Sequence, residues 1–382
     1  MAFTKLFTPT FVSDIFSTES AGDPINEANN AIAAADAKGD GKAKVAGLLR
    51  LADGYLKKKD AAKAEDYLDE AAKLARKQKF QEGKAYMLIM QAKLELWYGK
   101  PEEAVSWAKD ALKIFQKLDK PKATALASNM YAFVLNAAGK SAEGMKAVQG
   151  ALRIYKSLDE KVNEVGVMRL MMDMYLGAGD TLRAGLVGWE IVKTIKTVGQ
   201  NKFKVKLADI VKQIADIEAQ GGDMTKTLNA CEEAKELYEQ AGDIEGMAST
   251  LGTMKNAYLQ QGKYYEAVEA AKAIVELYKD YLSMVSPKLL GDAFMDLAKV
   301  YKDGDCFDEQ VDAASQALAV YSTEKITDGA KAATDMLTEL SLEQKRMNIK
   351  ITIELARDKL GHVPANLIIE PNGLDVNKWN AK

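Results

Sequence analysis

The chain has 382 residues, 48% hydrophobic and 28% charged, a composition of folded rather than disordered protein. Its 52 basic and 55 acidic residues leave a net charge of −3, so it lacks the basic surplus that binding to a nucleic-acid backbone uses. No run approaches the ~18 apolar residues of a membrane span. Cys231 and Cys306 stand far apart within helical patterns, which predicts two buried thiols in a reducing, cytoplasmic compartment rather than a disulfide.

Residues 1–21 form an apolar arm carrying Phe3, Leu6, Phe7, Phe11, Val12, Ile15 and Phe16, with Pro9 interrupting any early helix and Ser20 to Pro24 breaking the chain. The arm packs on its own first helices or is lent to a neighbouring molecule; both readings stay open. Met1 to Ser20 is rich in Phe, Ser and Thr, as a transit peptide is, but contains no Arg, so organelle targeting is the minor alternative. Residues 22–43 read as an Ala-rich N-terminal capping helix ended by Gly39-Asp40-Gly41.

From 44 to 325 the chain repeats. Seven helical hairpins turn at Lys58-Lys59-Asp60, Tyr98-Gly99-Lys100, Ala138-Gly139-Lys140, Ala178-Gly179-Asp180, Gly221-Gly222-Asp223, Gln261-Gly262-Lys263 and Gly304-Asp305; the most regular runs from Asn256 to Tyr278. Five places into each second helix stand Ala64, Ala104, Gly144, Ala184, Thr227, Ala267 and Gln310, at intervals of 40, 40, 40, 43, 40 and 43. Ala52, Ala92, Ala132, Ala215 and Ala298 share one place in the first helix, and Ala71, Ala111, Ala151, Ala234 and Ala317 one place in the second. These small side chains predict the points where helices cross closely. Phe115, Tyr155, Tyr238, Tyr278 and Tyr321 recur in the last turn of the second helix, where a ring fills the gap between hairpins.

Residues 326–360 read as C-terminal capping helices, one from Thr327 to Leu340 and another opened by the capping box Ser341-Leu342-Glu343-Gln344. Residues 361–382 are an extended tail with one adhesive segment, Leu367-Ile368-Ile369.

Residues for chemistry are sparse. The single histidine, His362, lies in the tail, which excludes a multi-histidine metal site and most histidine-dependent hydrolases. Gly39-Asp40-Gly41-Lys42 lacks the spacing of a phosphate loop, and after Asp303-Gly304-Asp305 a calcium loop would need Gly at Asp308 and Glu at Ala314. Glu102-Glu103 complements a helix dipole. No catalytic residue, cofactor or metal is expected.

Small residues at the crossings, Tyr55, Tyr175, Tyr258 and Tyr301 late in the first helix, and Gly-Lys or Gly-Asp turns before Glu-Ala together resemble tetratricopeptide repeats. The 40-residue unit with linkers such as Leu118-Asp119 and Leu158-Asp159 is similar to spindle-orientation adaptors and kinesin light chains. The resemblance implies an all-α, right-handed α-solenoid of about seven hairpins with helical caps. It also implies a concave groove lined by first helices. The inward positions of that family fall here on Tyr86, Ile89, Lys93, Leu96 and Trp97, then Asn129, Met130 and Phe133. They continue with Arg169 and Asp173, Lys212 and Asp216, and Asn256 and Leu259. Partner contacts are expected from Tyr86, Trp97, Asn129, Phe133, Arg169, Lys212 and Asn256, against the alternative that Tyr86, Trp97 and Phe133 belong to the interhelix core. Asp173 and Asp216 stand where the carboxylate clamp of tetratricopeptide co-chaperones has Asn or Arg, which argues against chaperone-tail binding.

The expected function is a non-catalytic scaffold or adaptor holding a peptide or helical segment of a protein partner. The alternative is a structural subunit of a larger assembly, self-associating through residues 1–20 or 361–382.

Overall fold

The computed structural model describes residues 23–198 and 204–360, which contain sixteen helices and no strand. The apolar arm, the segment 199–203 and the tail with His362 and Leu367-Ile368-Ile369 lie outside the described residues. Helix α1 (Pro24–Lys38) precedes seven hairpins. They pair α2 (Gly41–Lys57) with α3 (Ala61–Lys77), α4 (Gln81–Trp97) with α5 (Pro101–Lys117), α6 (Pro121–Ala137) with α7 (Ser141–Ser157), and α8 (Lys161–Gly177) with α9 (Thr181–Val198). Then come α10 (Lys204–Gln220) with α11 (Met224–Ala241), α12 (Ile244–Gln260) with α13 (Tyr264–Asp280), α14 (Pro287–Asp303) with α15 (Phe307–Thr323), and last α16 (Thr327–Leu360). The chain divides into two compact units, Met1–Ala241 and Gly242–Lys382.

Local chemistry sets the helix ends. Asp40, Asp60 and Asp243 accept backbone N–H groups of the helices that follow them, and Pro24, Pro101, Pro121 and Pro287 sit in first turns, where the missing N–H costs no helical bond. Between helices a single residue turns left-handed. Gly39, Lys59, Lys79, Gly99, Asp119, Gly139, Asp159 and Gly179 all have positive φ and recur every 20 residues; Gly222, Gly242 and Gly262 resume the series, as do Asp305 and Lys325. At Gly99 the N–H reaches Leu96 C=O at 3.0 Å and the next N–H, of Lys100, reaches Glu95 C=O at 2.8 Å, the paired bonds of a Schellman stop. The half-period of the repeat is thus written in the turns. One three-residue excess falls on the stretch containing 199–203, and the other on the longer connection from Tyr281 to Ser286.

Packing follows the small-residue pattern. Ala52, Ala92, Ala132, Ala215 and Ala298 are fully buried, as are Ala71, Ala111, Ala151, Ala234 and Ala317. The aromatic series Phe115, Tyr155, Tyr238, Tyr278 and Tyr321 is buried too. In the first unit one buried cluster runs from Val45 to Leu135 and another from Ala125 to Met174. The second unit has its own, from Ile244 to Ala333. Two first-helix crossing positions differ from those alanines: buried Met172 and Lys255, the latter 8% exposed and directing its ammonium onto Asp296 of α14.

Three sequence expectations change. Residues 327–360 form one continuous helix instead of two, because Ser341 to Gln344 includes no Gly or Pro to break the chain and each residue there is at home in a helix interior. The first repeat begins at Gly41, where Asp40 caps it, three residues before the expected boundary. Of the two free thiols only Cys231 is buried; Cys306 is half-buried at the N-cap position of α15, where its thiol faces the Gly304 carbonyl of the turn.

Candidate functional site

In the first unit the first helices pack on one another in succession, α2 on α4, α4 on α6 and α6 on α8, while no comparable contact joins successive second helices among the described residues. One side-chain column crosses this face at the repeat interval: Asp53, Lys93, Phe133, Asp173 and Asp216. Asp53, 9% exposed, is bound by Lys93 at 2.9 Å across the two helices and by Lys57 at 3.3 Å along its own. Burial works against the Asp53 carboxylate, but Lys93 and Lys57 outweigh it and hold its pKa below the ordinary value. Farther along, Arg169 meets Asp173 at 3.3 Å and also engages Gln213 of α10, and Lys212 meets Asp216 at 2.8 Å. Between these polar stretches the column is interrupted by an aromatic ring.

That ring is Phe133, 49% exposed; Trp97, 50% exposed, ends the neighbouring helix α4. Trp97 meets Tyr98 edge-on with ring centroids 5.6 Å apart, and the Tyr98 hydroxyl donates to Glu65 of α3 at 3.1 Å. The first-helix face therefore presents two large rings in water beside a face otherwise occupied by ion pairs. Half-exposed aromatics of this kind are the side chains that anchor protein interfaces, because their area is large and they lose little rotamer entropy.

Other residues singled out from the sequence fall elsewhere. Tyr86 is 1% exposed and packs edge-on against Phe115 at 4.9 Å, so it is core; burial above all, with a lesser contribution from Glu82, raises its phenol pKa. Ile89 and Met130 are buried, and Leu96 packs against the same cluster. Asn129, one turn before Phe133 on α6, is 6% exposed, with its buried Oδ1 unpartnered among the described residues. Arg169 and Lys212 are engaged by neighbours and do not stand open as carboxylate receptors. Asn256 is exposed on α12, in the second unit.

The second unit holds a cleft of 680 Å³ between α12, α14 and α16, lined by Glu245, Asp292, Asp296, Lys299, Tyr278 and Tyr321 among others. The Tyr321 hydroxyl donates to Asp292 at 2.6 Å. Sequence reasoning missed Lys299, although the 43-residue interval carries Asn256 directly onto it. Among the described residues no group of three His, Cys, Asp or Glu side chains could hold a metal ion, and no helix is long and apolar enough to cross a membrane.

No family model matches the sequence, and no curated protein matches it. The structure is similar to that of BtubC (BKLC) from P. vanneervenii, 19% identical, with a TM-score of 0.51 over 57% of this chain and 91% of that one. It is also similar to the apo form of RapI, 11% identical, with a TM-score of 0.55 over 85% of this chain and 98% of the other. At these identities the likeness is one of fold, and the fold is the tetratricopeptide-type α-solenoid that the repeat pattern resembles.

Proposed function

We propose that this chain is a non-catalytic interaction scaffold that holds a segment of a partner protein on the first-helix face of its first unit, anchored on Trp97 and Phe133. The observation that carries the reading is the exposure of both rings, 50% and 49%, on a face where the positions equivalent to Phe133, namely Asp53, Lys93, Asp173 and Asp216, are closed by ion pairs. The competing assembly-subunit reading turns on residues 1–20 and 361–382, which lie outside the described residues.

The test compares proteins retained from a cell extract by the wild-type chain and by Trp97→Ala/Phe133→Ala. Partners lost from the double variant, with its helical circular dichroism unchanged, support the site. An identical set of partners, or a loss of helical signal that places both rings in the core, rejects it.

A further inference from the structure

Helix α9 has two apolar faces. One is buried and includes Ala184, Ile191, Val192 and Ile195. The other is Leu182 and Leu186, each 63% exposed, followed by half-buried Trp189, at the i, i+4, i+7 spacing that lines a single stripe. The repeat provides an internal control. Leu186 stands where the other second helices carry Asp66, Ser106, Lys146, Asn229, Glu269 and Asp312, and at the place of Trp189 the other six carry only an acid, a base, Gln or Ser. Nothing in the packing of the repeat calls for apolar side chains there. A cleft of 630 Å³ opens beside Trp189, walled by Lys156 of α7, Lys161 and Glu164 of α8, and Glu190 and Lys193 of α9. Lys156 is paired with Glu190 and Lys161 with Glu164, while Lys193, one turn beyond Trp189, makes no ion pair or hydrogen bond among the described residues.

The chain supplies a segment of matching chemistry. Phe11, Val12, Ile15 and Phe16 recur at i, i+4 spacing, with the carboxylate of Asp14 among them to meet Lys193. Phe16 stands seven residues before the first described residue, Asp23, a reach of at most about 25 Å when extended. The route of packed helices from α1 to α9 passes through α2, α4, α6 and α8, five contacts of roughly 8–10 Å each. That tether is shorter than this route, whereas the arm of a second copy meets α9 without any such limit. We infer that the outer stripe of α9 is the docking face for residues 11–16 of a second copy of this chain, with Phe11 and Ile15, the i, i+4 pair, covering Leu182, Leu186 and Trp189. This inference is independent of the first-helix reading above and gives the arm of the assembly-subunit reading one docking face, which a scaffold can carry as well.

The experiment uses the full chain with Phe11 replaced by the photocrosslinking residue benzoylphenylalanine, irradiated in solution and mapped by mass spectrometry. Crosslinks between two chains that land on residues 182–193, reduced at least tenfold by Leu186→Asp, are the expected result. Leu182→Lys is the second variant, and circular dichroism melting verifies that both remain folded. Crosslinks confined to one chain, crosslinks to the Trp97 and Phe133 face or elsewhere, or a yield unchanged in both variants would overturn the proposal.

Discussion

Tyr86 and Trp97 lie eleven residues apart on α4, about three helical turns, and so point in nearly the same direction. Yet one is core and the other half in water. Their difference is height along the helix: Tyr86 lies under Phe115, whereas Trp97 is the last residue before the turn. Truncation should separate the two. Tyr86→Ala or Phe115→Ala removes a buried ring and leaves a cavity, and is expected to cost about 3–5 kcal/mol in chemical denaturation. Trp97→Ala and Phe133→Ala are expected to cost about 1 kcal/mol or less in the same experiment. A second residue-level test uses Tyr131, whose hydroxyl donates to Glu143 at 2.7 Å. Burial, then that carboxylate, pushes its pKa up to about 12. A raised folded-state pKa contributes stability that is complete below the unfolded value of about 10 and is lost as pH rises through the folded value. The wild type should therefore lose stability between pH 10 and 12, and Tyr131→Phe should flatten that limb of a denaturation-versus-pH curve.

At the scale of the element, the turns and one buried ion pair deviate from the repeat in ways that can be measured. Lys79 and Asp159 adopt φ of 50° and 52°, a region that costs an L side chain on the order of 1 kcal/mol and glycine almost nothing. Lys79→Gly and Asp159→Gly should each raise the midpoint of urea unfolding, with a gain of about 0.5–1 kcal/mol, while Gly139→Ala, at φ 74°, should lower it by about 1 kcal/mol. Lys255 gives an asymmetric pair of substitutions. Lys255→Ala installs the residue that five of the other six repeats place at this crossing and leaves Asp296 partly solvated, so stability should change little. Asp296→Ala strands a buried ammonium and should cost about 1–3 kcal/mol, less than a fully buried pair because Asp296 is 41% exposed. Equal losses in a thermal melt would contradict this account. The single helix α16 teaches a related lesson: a capping-box sequence marks a helix start only where something stops the helix before it.

For the whole molecule, the division at Ala241 and Gly242 leaves the buried cluster from Ile244 to Ala333 built entirely from the second unit's own residues. A fragment of residues 242–382 is accordingly expected to keep helical circular dichroism and melt cooperatively; a broad, featureless melt would show that the unit does not stand alone. Period, turn residues and small side chains already specify the seven hairpins, their crossing points and the aromatic filling between them, because each depends on spacing along the chain and on side-chain size. The same spacing could have indicated Lys299 and the apolar stripe of α9, since both emerge when repeats are aligned by number. What the sequence alone determined, then, is which residues share a direction around each helix. Only the tertiary structure decided which of them are covered, separating Tyr86 from Trp97 and carrying Lys93 of α4 onto Asp53 of α2. Periodicity encodes an angle about one axis, whereas burial depends on the neighbouring helices that overlap that axis and how far along it they extend.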